Sequence, residues 1–359
     1  MNGKTVSLAV ILGDGVGHDV LPVATEVIRA AAGAEGVEVE PQVYDYGALH
    51  YLEHGTPLPD DVEGLVRGLA EKHDAILFGS AGLDPRTPED VNCRDLLRAL
   101  RFELDLYVNL RPSPLLHPDF SPLKRDAEID LVVVRENTEG LNVRVGGNFK
   151  KGTPDEVAIQ EDVNTYKGVS RICRYAFEYA QRHGYPKVTM ADKHGSIIHA
   201  HGLWQRVFWA VSEEFPDVTG EHYFIDTLCQ DLLFKPEDFG VIVTNNMFGD
   251  ILSDLCAGLV GGVGLAASGC IHPGRVCMFE PVHGTAPDIA LKGIANPFAV
   301  CLTGRIMLNE LGLGEAANLI WEAIRSAVRE KKTTADLGGS LNTREVGDYL
   351  CAHIEKSRA

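Results

Sequence analysis

Short apolar runs alternate, for most of this chain, with segments whose apolar positions recur every three or four residues. Residues 7–12, 37–44, 75–78, 129–135, 187–191 and 239–244 read as strands. Residues 19–32, the segment from Asp60 onward, and residues 95–101, 166–183, 202–215, 316–329 and 343–356 read as helices. Alternation of this kind predicts an α/β fold with a largely parallel sheet. Residues 148–161 are polar and contain glycine and proline, and they read as a protruding hairpin or arm. The chain has no internal repeat and no low-complexity tract.

Length adds that 359 residues exceed one ordinary core, so two subdomains are expected. An apolar content of 45% and a charged content of 23% are those of a soluble globular protein. The net charge of −18 argues against general nucleic-acid binding, and an anionic substrate would have to be held by a local cluster of cations. Eight cysteines without any CxxC spacing suggest a reducing compartment and small core residues rather than disulfides or zinc ligands. The N-terminal run Val6 to Leu12 enters Gly-Asp-Gly, as a buried strand meeting a turn, and lacks a signal-peptide pattern. The longest apolar run, residues 255–267, is broken by four glycines, which excludes a membrane span. Cytoplasm is the expected location.

Chemistry concentrates first in Asn245-Asn246-Met247-Phe248-Gly249-Asp250-Ile251-Leu252-Ser253-Asp254, a strand end opening into a helix. Asp250 and Asp254 are four apart, so a helical turn brings them to one face, roughly 40° apart. Their repulsion becomes an asset if a hard dication such as Mg²⁺ or Mn²⁺ sits between them. The alternative is a pair of acids favoured by the helix dipole. Arg94, Arg98 and Arg101 form a second pattern, one basic stripe at i, i+4, i+7 beside Leu96, Leu97, Leu100 and Leu104. That stripe reads either as an anion site or as a solvated basic face. Gly13-Asp14-Gly15-Val16-Gly17 invites a dinucleotide reading, but GxGxxG requires glycine at position 18 and the chain has His18.

Taken in order, the Gly13–Gly17 turn, Asn109-Leu110-Arg111-Pro112, Arg135-Glu136-Asn137-Thr138-Glu139-Gly140, the segment 246–254 and Glu280-Pro281-Val282-His283-Gly284-Thr285-Ala286-Pro287-Asp288-Ile289 form a set. Together they resemble the β-decarboxylating dehydrogenases of 3-substituted malates, namely the isocitrate, isopropylmalate, homoisocitrate and tartrate/D-malate dehydrogenases. The likeness runs from about residue 5 to 355. It implies a two-domain α/β fold with a mixed, largely parallel sheet and no true Rossmann unit. Residues 1–105 with 260–359 would form a large cofactor-binding domain. Residues 106–259 would form a smaller dimerisation and catalytic domain, with an arm near 142–162. It also implies a homodimer with shared active sites, either alone or paired into tetramers.

The same resemblance assigns roles. Asp250 and Asp254, with Asp226 from the partner subunit, would bind Mg²⁺ or Mn²⁺. Lys193 would be the catalytic lysine, contributed like Asp226 by the second subunit, and Asp226 would share the catalytic role. Arg101, Arg111 and Arg135 would clamp the malate carboxylates through bidentate geometry. Arg94 and Arg98 fall where relatives read the 3-substituent, and two cations there imply a third anionic group, a carboxylate or a phosphonate. His283, Gly284, Thr285, Ala286, Asp288 and Ile289, with Asn296, would hold the adenosine. Asp288 would accept the ribose hydroxyls and repel a 2′-phosphate, which favours NAD over NADP.

Two positions depart from the pattern. Asn142 stands where relatives place a proton-relaying tyrosine, and Gly195, after His194, stands where they place an asparagine. An amide is no general acid, so reprotonation would need His194, Tyr166 or water. Two alternatives follow: oxidation without obligatory decarboxylation, as in tartrate-type enzymes, or a catalytically weak regulatory subunit of an isocitrate-dehydrogenase-like complex.

Overall fold

The structure is a computed structural model that describes residues 4–357. Its chain divides into two compact units. The first takes residues 1–106, 115–122 and 257–359; the second takes 107–114 and 123–256.

The first unit opens with β1 (Thr5–Gly13), α1 (Gly17–Ala34), β2 (Glu38–Tyr44), α2 (Ala48–His54), α3 (Val62–Lys72), β3 (Ala75–Ser80) and α4 (Arg94–Glu103). The second unit then holds β4 (Val108–Pro114), β5 (Asp130–Glu136), β6 (Gly146–Phe149), β7 (Val157–Gln160), α5 (Tyr166–His183), β8 (Lys187–Asp192), α6 (Ala200–Ser212), β9 (Thr219–Phe224), α7 (Ile225–Phe234), β10 (Val241–Thr244) and α8 (Asn246–Leu259). The chain closes the first unit with β11 (Ala267–Ile271), β12 (Cys277–Pro281), α9 (Phe298–Glu310), α10 (Gly314–Arg329) and α11 (Thr343–Lys356).

Strand order in the first unit is β2-β1-β3-β12-β11, parallel except for β11 against β12. Ala9 and Ile11 of β1 join a core with Val66, Leu69, Leu96 and Leu100 of α3 and α4. Leu8 and Val10 are equally buried, and α1 also packs on β1, so the strand is covered on both faces and reads as a continuous apolar run. In the second unit the order is β4-β5-β10-β8-β9, again parallel except for the β4–β5 pair. Helix α5 packs on β5, β8 and β10. It is started by Thr165, whose side chain accepts from Gly168 N, and is ended by Gly184 at φ +74°. The arm is a two-stranded antiparallel hairpin, β6 with β7, exposed along its whole length. The sheet is therefore mixed and mostly parallel, as the α/β reading requires.

Several elements escape the sequence pattern. α9 is buried on nearly every side, so it lacks the polar face that reveals a helix. β4 contains Pro112, Pro114 and the buried Arg111, all poor strand signals, and is defined instead by its pairing with β5. The short α2, together with β9, α7, β11 and β12, has too few residues for periodicity to speak.

The glycine turn after β1 is a packing device. A Cβ at Gly13 would lie 2.1 Å from Ser80 O, and one at Gly15, where φ is +61°, 2.1 Å from Thr285 O. The Asp14 carboxylate accepts from Ala48 N (2.7 Å), Gly82 N (2.9 Å) and Cys93 N (2.8 Å). Burial raises its pKa, against the pull of those three donors. The turn thus ties together the starts of α2 and α4, the loop after β3 and the loop at 285.

Candidate active site

In the second unit, Arg111 on β4 and Arg135 at the end of β5 are both buried. The antiparallel register sets Asn109 opposite Arg135, so Arg111, two residues on, shares its face. Helix α8 supplies what they meet. Asn245 caps it, accepting from Phe248 N at 2.9 Å. Gly249 then lets the helix approach β5, since a Cβ there would lie 2.6 Å from Arg135 Cγ and 2.7 Å from Arg135 Cβ. With that clearance Arg135 forms an ion pair with Asp250 and donates to Asn246 Oδ1 at 2.7 Å. Arg111 reaches Asp250 at 3.2 Å, Ser253 Oγ at 2.6 Å and Asn109 Oδ1 at 2.5 Å. Asn142 Nδ2 donates to Asn246 Oδ1 at 2.6 Å.

This arrangement revises the simple reading of the Asp250/Asp254 spacing. Two guanidinium groups already offset the repulsion at Asp250, so spacing alone does not demand a dication. What fits a hard ion is the oxygen set. Asp250 is half exposed, and Asp254 lies exposed on the same helix. Among the described residues Asp254 has no cation or donor within bonding distance. Desolvation raises the Asp254 pKa, Arg111 pulls it down, and Asp250 adds to the rise. A carboxylate held beside another with its oxygens unclaimed is suited to Mg²⁺ or Mn²⁺.

Lys193 and Asp226 form the other charged pair. Lys193 follows β8, and its backbone N–H donates to Nδ1 of the fully buried His201 at 2.8 Å. Its Nζ lies 2.7 Å from Asp226 Oδ1 and 5.4 Å from the centre of the Phe224 ring. The hydrogen bond from Lys193 lowers the Asp226 pKa. His194, next in sequence, is half exposed, with Nδ1 3.0 Å from Asp192 Oδ1. A Cβ at Gly195 would approach only the Phe224 ring, at 3.8 Å, so the missing asparagine leaves open space.

In the first unit the arginine stripe of α4 has three different fates. Arg101 is ion-paired with Glu280 of β12 at 2.5 Å. Burial alone would lower its pKa, but Glu280 outweighs burial and holds the guanidinium firmly charged. Arg98 is half buried over the Phe102 ring, 5.4 Å from its centre, and Arg94 is exposed. Among the described residues neither Arg94 nor Arg98 has a carboxylate at ion-pairing distance.

Also in the first unit, a cavity of about 550 Å³ is lined by Val16, His283, Ala286, Ile289, Asn296 and Asp336, among others. Thr285 O accepts from Val16 N at 2.9 Å, so the glycine turn holds up this loop rather than facing a pyrophosphate. Ala286 sits at φ +40°. Burial lowers the His283 pKa and favours the neutral imidazole. Asn296 donates to Asp336 Oδ2 at 2.9 Å. Gly284 and Asp288 are exposed on the same loop, outside the cavity lining. The volume and the apolar walls would accommodate an adenosine.

Sequence reasoning missed Ser253, Asn246, His201, Glu280, Asp336 and the Asp14 hub. Ser253 and Asn246 lie inside a segment already singled out, and helical spacing from Asp250 could have found Ser253. His201, Glu280 and Asp336 act through contacts far apart in sequence and carry no local signal.

The sequence matches the isocitrate/isopropylmalate dehydrogenase family over residues 7–350. It is 46% identical over 353 residues to the 3-isopropylmalate dehydrogenase of Corynebacterium kroppenstedtii, covering 98% of this chain and 100% of that one. It is 42% identical over 358 residues to the 3-isopropylmalate dehydrogenase of Thermobifida fusca, covering 99% of each. Among solved structures it is similar to the isocitrate dehydrogenase from Methylococcus capsulatus, with a TM-score of 0.86, 34% identity, and coverage of 97% of this chain and 99% of that one. With its motifs, its mixed sheet and relatives matched along their whole length in agreement, the chain belongs to the isocitrate/isopropylmalate dehydrogenase family.

Proposed function

We propose that this chain oxidises and decarboxylates a 3-substituted malate with NAD as hydride acceptor and Mg²⁺ or Mn²⁺ as metal, and that the C3 substituent carries a further negative charge. The observation that supports the last clause is the pair Arg94 and Arg98. In a chain of net charge −18, two arginines a helical turn apart without a carboxylate partner among the described residues are available to an anion. A carboxylate, as in isocitrate or homoisocitrate, or a phosphonate would satisfy them.

Arg111 and Arg135 hold the malate carboxylates, exchanging part of their hold on Asp250 for the substrate. Arg101, already committed to Glu280, offers its remaining N–H groups. In its neutral form Lys193 Nζ would accept the C2 hydroxyl proton, and Asp226 would hold the ammonium that results. A dication held by these carboxylates would supply Lewis-acid polarisation of the C2 oxygen, and bound NAD would supply the hydride acceptor. Asp250 and Asp254 of one subunit, with Asp226 of the other, are the ligands we assign to the metal.

We infer a homodimer because the exposed apolar residues include Phe149, Val157 and Ile159 on the arm and Met247 and Ile251 on α8. Met247 and Ile251 flank Asp250 on one helix, so pairing there would bring a second chain to the carboxylates. Asp288 supports NAD, since its exposed carboxylate would repel a 2′-phosphate.

A second reading has its own support: the relatives at 42–46% identity are named 3-isopropylmalate dehydrogenases, whose substituent is apolar. Non-decarboxylating and regulatory readings gain nothing from these relatives. Following NADH production across malates with isopropyl, carboxymethyl and phosphonomethyl groups at C3, with Mn²⁺ present, decides the matter. Highest kcat/KM on a third-anion substrate is expected, and preference for the isopropyl compound would sink the reading.

A further inference from the structure

We propose that Asp192, His194 and His222 form a binding site for a borderline divalent cation such as Zn²⁺, chemically unlike the all-oxygen Asp250/Asp254 pair. The parallel register of β8 and β9 sets Met190 beside His222, so Asp192, two residues on from Met190, lies on the same face as His222. His194 follows in the turn after β8. Asp192 is 1% exposed, whereas both histidines are partly open to solvent. Asp192 Oδ1 is 3.0 Å from His194 Nδ1 and 2.9 Å from His222 Nε2, and the three ligand atoms lie within 4.8 Å of one another. Tetrahedral zinc with bonds of about 2.0–2.1 Å spaces its ligands roughly 3.3 Å apart, so each Asp192–histidine distance need open by only a few tenths of an ångström, while the two imidazole nitrogens, within 4.8 Å of each other, would be drawn to that spacing by the ion. A water can take the fourth position on the open side.

Hydrogen bonding alone lets His194 Nδ1 serve only one of its two neighbours, and a cation would take its lone pair instead. Trp209 Nε1, which can only donate, points at Gln205 Oε1 at 3.1 Å and so fixes the amide's orientation. Gln205 Nε2 therefore faces both Asp192 Oδ2 (2.7 Å) and His194 Nδ1 (3.1 Å). Accepting from that amide requires a lone pair on His194 Nδ1. Donating to Asp192 Oδ1 requires a proton on the same atom. With an ion bound, Nδ1 directs its lone pair at the metal, Asp192 Oδ1 does likewise, and Gln205 keeps its bond to Oδ2. Imidazole nitrogens select Zn²⁺, Co²⁺ or Ni²⁺ over Mg²⁺ and Mn²⁺. An ion here would tie the turn that carries Lys193 to strand β9.

The test is Zn²⁺ titration of the purified full-length chain against a chromogenic chelator, with excess Mg²⁺ occupying the carboxylate site. One Zn²⁺ per chain is expected, with affinity falling at least about 10-fold in His222→Gln and in His194→Gln, while Asp250→Ala retains it. Co²⁺ added to the unmodified chain should give the intense visible band of a tetrahedral nitrogen-containing site, which needs no variant to fold. Absence of stoichiometric Zn²⁺ uptake under Mg²⁺, only the weak octahedral Co²⁺ spectrum, or uptake lost in Asp250→Ala and kept in His222→Gln would each overturn the proposal.

Discussion

Arg135 holds the carboxylate of Asp250 only because the residue before that aspartate is Gly249, with no side chain to keep α8 away from β5. A methyl group at 249 would press against Arg135 Cβ and Cγ at 2.7 and 2.6 Å, too close for either to stay in place. Gly249→Ala is therefore expected to cost roughly 1–3 kcal/mol in urea unfolding. It should also lower kcat/KM, because Asp250 is displaced from its arginines. Full activity with unchanged stability would show that the close approach has no consequence.

Arg98 has Phe102 as its ring partner and no carboxylate partner among the described residues. A charge-assisted bond to a substrate anion contributes about 1.5–3 kcal/mol, or roughly 10- to 100-fold in kcat/KM. Arg98→Leu should lose that factor on a third-anion malate and lose nothing on 3-isopropylmalate. Equal losses on both substrates would point to a packing role instead.

Asp288 is exposed on the loop whose neighbours line the adenosine-sized cavity. Asp288→Asn removes the charge that would repel a 2′-phosphate and keeps the side chain's size. The ratio of kcat/KM for NAD over NADP should fall by about 10-fold or more, mainly through KM for NADP. An unchanged ratio would remove Asp288 from cofactor selection.

Glu136 is buried next to Arg135, and desolvation raises its pKa to about 7 despite the hydrogen bonds from Thr138 and Glu139 that oppose the rise. A raised carboxyl pKa means that the folded chain binds the proton more tightly than the unfolded one. Its contribution is fully present below the unfolded value, near 4.5, and is lost as pH rises towards 7. The loss amounts to at most about 3–4 kcal/mol at 1.36 kcal/mol per unit. Relative to the native chain, Glu136→Gln should gain stability across this window when unfolding is followed at a series of pH values. A stability difference that stays flat from pH 4.5 to 7 would refute the assignment.

Much of this protein is legible in the order of its residues. Strand–helix alternation follows from side-chain periodicity, which is local. So do the exposed arm, the helical spacing of Asp250 and Asp254, and the ordered motifs that mark the family. Tertiary structure decided the partners. Arg94, Arg98 and Arg101 look alike along α4, yet among the described residues only Arg101 meets a carboxylate, because β12 brings Glu280 to it from 179 residues away. Asp250 and Asp254 look alike on α8, yet among the described residues only Asp250 is claimed by arginines, which β4 and β5 deliver. The glycine turn looks like a nucleotide cradle and serves instead as a clasp for three loops. In each case the sequence specifies the charge and its place on an element. Which opposite charge or donor comes within 3 Å depends on chain segments whose separation no local pattern encodes.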